Sequence, residues 1–221
     1  MAPVLFLRQT PLHARVAPFV LFVVLTACQG LLGESSRYWI YALKTLLGAW
    51  MIWAIRPVVS ELRWNFSGEA CFVGAAVFAA WVGLDSLYPK FGAAGKPWNP
   101  NLQFGEGSPL AMAVLATRVL GSSIVVPPIE ELFYRSFLYR YIANPDFTIM
   151  SLSSRNWRSF IVTSAVFGFA HREWLAGILC GLAYQWLVLR KGRLGDAMTA
   201  HAITNLLLGI WVIWKGAWNF W

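Results

Sequence analysis

Seven apolar stretches leave this chain one plausible solvent for most of its length, and that solvent is lipid. They run Val16–Leu32, Tyr38–Ile55, Cys71–Leu84, Leu110–Val126, Phe160–Ala170, Trp174–Leu189 and Ala197–Trp214. A hydrocarbon core about 30 Å thick takes about 20 helical residues at about 1.5 Å each. The third and fifth stretches fall short of that and must borrow flanking residues. A half-apolar helix, Ile129–Ile142, follows the fourth. Of the 221 residues 58% are hydrophobic and 13% charged, whereas a soluble domain averages about 45–50% and about 25%. The expectation is an all-α fold, a polytopic membrane helical bundle of seven or eight transmembrane helices. It forms a single domain over residues 1–221, with no internal repeat.

A net charge of +8 would point to nucleic acid in a soluble protein, but here the cations sit at span ends. Arg8, Arg15, Arg56, Arg63, Arg140, Arg155, Arg158, Arg190, Lys191 and Arg193 share one face if the spans alternate. Arg37, Lys90, Lys96 and Lys215 occupy the sparser one. The positive-inside rule then puts the N-terminus and the basic loops in the cytoplasm. The lipid bilayer is therefore the expected partner, and no nucleic acid is. Leu25-Thr26-Ala27-Cys28 looks like the end of a lipoprotein signal, yet the apolar run continues to Leu32, so it reads as part of the first span. Cys71 and Cys180 stand alone, which indicates neither disulfides nor a cysteine zinc site. The Gly-, Pro- and Asn-rich segment Asp85–Pro109 is a surface cap or a partly re-entrant loop on the sparser face.

Charges within apolar spans are costly and call for explanation. Lys44 and Arg118 can snorkel, or pair across helices with residues such as Glu69 or Asp85. Three other groups resist that treatment. In Pro127-Pro128-Ile129-Glu130-Glu131-Leu132-Phe133-Tyr134-Arg135 the prolines are expected to stop one helix and start another, with both glutamates at the new N-terminus. Glu131 and Arg135 have the spacing of a helical ion pair. Glu130 points about 100° away and is left free for chemistry. His171 ends the run Phe167-Gly168-Phe169-Ala170, where a hairpin histidine would be unremarkable by itself. In the last span His201 and Asn205, four apart, share a helix face; interhelical hydrogen bonding is their ordinary role. At about 1.5 Å per residue, Glu130 lies roughly 15 Å from the Arg140 end of its helix, His171 roughly 20 Å from Arg158, and His201 roughly 12 Å from Arg193. All three depths are counted from the basic face. The three groups can therefore meet near mid-membrane, in a cavity expected to open to the cytoplasm.

Glu-Glu-x-x-x-Arg (Glu130, Glu131, Arg135), Phe-x-x-x-His (Phe167, His171) and His-x-x-x-Asn (His201, Asn205), in that order, resemble the motifs of the CPBP or Abi family. That family comprises CAAX prenyl endopeptidases of the Ras-converting type and their bacterial relatives, and the chain looks most like the bacterial CAAX prenyl protease-related branch. The resemblance covers the motif-bearing core, about residues 110–214; the first hundred residues carry no signature of it. It implies an intramembrane endopeptidase, in a bacterial inner membrane, cutting a membrane protein or exported peptide substrate. Glu130 and His171 would activate a water, His201 and Asn205 would donate to the oxyanion, and Glu131, Arg135 and Phe167 would be structural or substrate-orienting. No cofactor is expected. The alternative is zinc held by Glu130, His171 and His201, since two histidines and a glutamate also make a catalytic zinc site. A non-enzymatic membrane scaffold or peptide-binding protein of the same family is the competing reading. A proton-relay transporter is disfavoured because no inverted repeat is visible.

Overall fold

The structure, a computed structural model, describes residues 2–92 and 97–221; Lys96 lies outside them. Among the described residues it is all helix and turn. Helix α1 is Ala2–Arg8, α2 Pro11–Ala27, α3 Ser36–Ile55, α4 Gly68–Gly83 and α5 Pro100–Phe104. The long α6 covers Pro109–Ala143, and α7 Trp157–Phe169, α8 Trp174–Lys191 and α9 Gly195–Lys215 complete the bundle. Starts are signalled by side-chain caps. Ser67 accepts from the Ala70 amide at 3.2 Å, Ser108 from Ala111 at 3.1 Å and Asn156 from Ser159 at 3.0 Å, each filling a donor that a helix end leaves orphaned.

Two expectations about the elements fail for local reasons. The first span does not run to Leu32, because α2 stops at Ala27 and the chain turns through Gly30 and Gly33 at φ 86° and 98°. Left-handed backbone of that kind falls to glycine, and an apolar tally cannot register it. The second concerns Pro127 and Pro128, which do not break the helix. The fourth span and its half-apolar follower are one 35-residue helix. A proline ring normally strikes the carbonyl four residues back, here Ser123 and Ile124. Those residues lie in a π-helical stretch, Gly121–Val125, and a second one follows at Leu132–Leu138. The wider turns take the carbonyls out of the rings' way. At about 1.5 Å per residue this helix is about 50 Å long, so it must tilt or stand clear of the hydrocarbon. Three helices, α3, α6 and α9, are long and apolar enough to cross a membrane, while α2 and α4 are apolar and shorter. The chain is an all-helical integral membrane protein with these three candidate spans.

Small residues bring the helices together, as they must where lipid offers no hydrophobic drive. On α7 a Cβ at Gly168 would run into Ile178 and the Trp174 carbonyl, and on α8 one at Gly181 would meet the Ser164 backbone. On α4 a Cβ at Gly74 would press on the Ala200 carbonyl of α9. Gly168→Val is therefore expected to lower stability in detergent by about 1–3 kcal/mol or more, the usual cost of overpacking. Gly83→Ala, which adds its methyl in open space, should cost far less in the same thermal unfolding measurement.

The basic end of the bundle is tied shut. Glu61, in the loop after α3, meets Arg15 of α2 at 3.1 Å and Arg140 of α6 at 2.8 Å. Ser136 joins the cluster through Arg15 at 2.8 Å and through Glu61 itself. Behind it Leu132, Leu194 and Met198 are fully buried. At the other end the segment after α4 folds over the bundle. Trp98 is buried against Tyr38, Tyr41 and Trp221, so the described part of this segment is a cap.

Candidate active site

Glu130 and Glu131 are neighbours in α6, just ahead of its second wide turn, and they face different surroundings. Glu131 has no exposed surface and is doubly engaged. One carboxylate oxygen stands 3.2 Å from Arg135 Nε, the other 2.9 Å from His201 Nδ1. The Arg135 guanidinium lies 4.4 Å above the Phe167 ring, which accounts for the apolar residue four positions before His171. Glu130 has no such ties. Its Oε2, which like Glu131 Oε2 accepts no hydrogen bond, stands 4.0 Å from His201 Nε2.

His201 is held on every side. Its ring stacks on Tyr184 of α8 at 5.2 Å, and the Tyr184 hydroxyl donates to Thr204 at 2.7 Å. Thr204 in turn donates to the Gly74 carbonyl at 2.8 Å, so α4, α8 and α9 fix one imidazole together. A carboxylate at Nδ1 sets which nitrogen is left over. The one left over is Nε2, on the side of Glu130.

His171, at the end of α7, sits beside the Phe167 carbonyl with Nδ1 at 2.7 Å and places its ring edge-on to Trp81. A carbonyl only accepts, so Nδ1 donates and Nε2 remains an acceptor. No contact within 4 Å joins it to Glu130. Asn205 donates through Nδ2 to the Ser122 carbonyl at 2.8 Å, a group inside the first π-helical stretch, and keeps its second amide hydrogen. A cavity of about 460 Å³ is lined by Glu130, His171, His201 and Asn205 together. Beside His171, at the loop between α7 and α8, burial pushes the Glu173 carboxyl above the usual carboxylate range.

Two expectations are corrected here. The cavity does not run to the basic face. From Glu130 and His201 its lining extends the other way, past Lys44 and Arg118 to Gln29, Arg37, Trp98 and Trp221. Counting residues from the basic loops gives depth but not the side from which water enters, and the Glu61 cluster blocks the near side. Nor do Lys44 and Arg118 pair with Glu69 or Asp85. Glu69 takes Arg190 at 2.6 Å and Lys191 at 2.5 Å, and Asp85 takes Lys90 at 3.2 Å.

Among the described residues no three His, Cys, Asp or Glu side chains gather to metal-ligand spacing; the Glu131 contact at His201 Nδ1 leaves Nε2 as that ring's open nitrogen. Tyr184 and Thr204, which hold His201, were not singled out from the sequence. A tyrosine in an apolar run reads as interface belt, and a threonine one turn after a histidine as a packing residue.

Residues 109–207 match the family described as type II CAAX prenyl endopeptidase Rce1-like, and the matched segment contains every motif residue from Glu130 to Asn205. No curated protein and no solved structure matches the chain. That family is a family of proteases. Through residues 109–207, just under half of its length, the chain is similar to the CAAX protease family of the Rce1-like type.

Proposed function

We propose that this protein is an intramembrane endopeptidase in which Glu130 is the general base. The observation that carries the reading is the division of labour between adjacent glutamates. Glu131 is held at 3.2 Å by Arg135 and at 2.9 Å by His201, whereas Glu130 faces the same imidazole across a 4.0 Å gap with no closer ion pair. A gap of that size between polar groups suits a bridging water. The water's proton passes to Glu130 as its oxygen bonds to the scissile carbonyl carbon. The carbonyl oxygen gains the charge, and the remaining Asn205 amide hydrogen lies on the cavity wall to receive it. When the C–N bond breaks, the proton moves to the leaving amine. His171 Nε2, oriented by the Phe167 carbonyl, and His201 Nε2 are the cavity's relays. No cofactor enters these steps.

Peptide termini mapped in membranes from cells bearing the native chain or Glu130→Gln test this directly. Termini present with the native chain and missing with the variant identify the substrate. An identical set of termini with an unchanged cellular phenotype would leave a scaffold or peptide-binding role in its place.

The cavity's direction also bears on which substrate is reached. With the basic loops cytoplasmic, the end lined by Gln29, Arg37, Trp98 and Trp221 is extracytoplasmic, and an exported or membrane-anchored peptide enters from outside. On a Cys28→Ser background, Leu31→Cys is expected to react with a charged maleimide in intact cells, and Ser151→Cys only after permeabilisation. The reverse pattern would place the mouth in the cytoplasm.

A further inference from the structure

Past the catalytic residues the same cavity holds two cations that the hydrolytic chemistry does not use. Lys44 is 5% exposed, and its ammonium donates only to the Thr26 hydroxyl, at 2.8 Å. That hydroxyl passes its own hydrogen to the Phe22 carbonyl at 2.7 Å, so it brings no charge. The Arg118 guanidinium is boxed by rings, 4.4 Å from Trp98, 4.8 Å from Tyr41 and 5.1 Å from Trp221. The Tyr41 ring also carries Lys44, at 4.7 Å. Two like charges thus share one aromatic ring, with no carboxylate within 4 Å of either among the described residues.

Aromatic faces attract a cation, but they offer no oxygen to the five N–H donors of a guanidinium or the three of an ammonium. A purely structural cation at membrane depth finds a carboxylate or backbone carbonyls. Among the described residues, neither side chain has found either one. Glu130 and Glu173 line the same cavity, but neither comes within 4 Å of either cation. What is missing is an anion that comes and goes.

We propose that Lys44 and Arg118 form a carboxylate subsite of the cavity, which binds an anionic group of the peptide substrate while Glu130 and His201 engage the scissile bond. The proposal rests on the hydrolytic reading of Glu130 for the identity of the ligand as a peptide. A planar guanidinium suits two-point recognition of a carboxylate, and an ammonium supplies a point charge beside it. The substrate it selects is a peptide with a free C-terminal carboxylate, or with an acidic side chain, at a fixed distance from the cut.

The experiment uses the full chain carrying Glu130→Gln, in phosphatidylcholine nanodiscs, so that bound peptide is not consumed. Its probes are three fluorescein-labelled apolar decapeptides: one with a free C-terminal carboxylate, one amidated, and one amidated with a single glutamate. Fluorescence anisotropy is expected to show the free acid or the glutamate peptide binding about 10–100-fold more tightly than the neutral amide. Which of the two binds tighter identifies the source of the carboxylate. Lys44→Met or Arg118→Gln should bring that ratio towards one, and Lys44→Arg or Arg118→Lys should retain most of it. Equal binding of all three peptides by the parent, or a loss that falls equally on acid and amide in the variants, would overturn the subsite. Discrimination together with an inert native chain would support the subsite and overturn the hydrolytic reading. Cleavage by the native chain without discrimination would overturn the subsite alone.

Discussion

Glu130→Gln is expected to reduce single-turnover peptide cleavage by about 10²–10⁴-fold, the usual contribution of a general base, while thermal stability stays close to that of the native chain. Both halves follow from the same atom. The Glu130 carboxylate oxygen nearest His201 has no hydrogen bond to lose, so an amide of equal shape removes the base without removing a tie. An ordinary structural carboxylate behaves the other way round, with its amide variant destabilised and its activity falling only as folded protein is lost. Purified native and variant protein, assayed for product formation and for melting in one detergent, separate the two cases. Full cleavage by a folded Glu130→Gln protein would remove Glu130 from the chemistry.

Its neighbour has the opposite expectation. Arg135→Ala should lower stability by about 3–5 kcal/mol, because it strands the Glu131 charge in a site with no exposed surface. Glu131→Ala strands Arg135 in the same way and also releases His201 Nδ1 from its 2.9 Å contact. Activity in the surviving folded fraction should then fall with Glu131→Ala more than with Arg135→Ala. Replacing both residues by Gln and Met should recover much of the stability, since a buried pair exchanged for neutral groups often costs little. Unfolding in detergent of the two single variants and the double variant gives the coupling between them. Additive losses would show that the pair is not a unit.

How much of this was legible in the sequence depended on whether the deciding physics is local. The glutamates' separate fates follow from helix geometry: the i, i+4 spacing of Glu131 and Arg135 predicts their contact, and a turn of about 100° predicts that Glu130 is excluded from it. Counting residues from the basic loops puts His171 and His201 at the depth of Glu130, and i, i+4 spacing puts Asn205 on the face of His201; all four line one cavity. The side on which the cavity opens was not, because it depends on the non-local meeting of Glu61 with Arg15 and Arg140. The partners of Lys44 and Arg118 are non-local in the same way, since Glu69 and Asp85 have nearer cations. Two adjacent prolines predict a break that the helix does not make. A proline announces a break only if the turn before it is regular, and the irregularity at Gly121–Val125 has no signature in composition.

That irregular stretch has a consequence for the identity of the base itself. A π-helical turn holds a residue more than its α-helical equivalent, so removing one position from Gly121–Val125 would rotate everything downstream by about 100° relative to α3 and α9. Such a rotation is the angle between neighbouring side chains. On the hydrolytic reading, the swollen turn acts as an indexing notch that keeps Glu130, rather than its chemically identical neighbour, turned to the cavity.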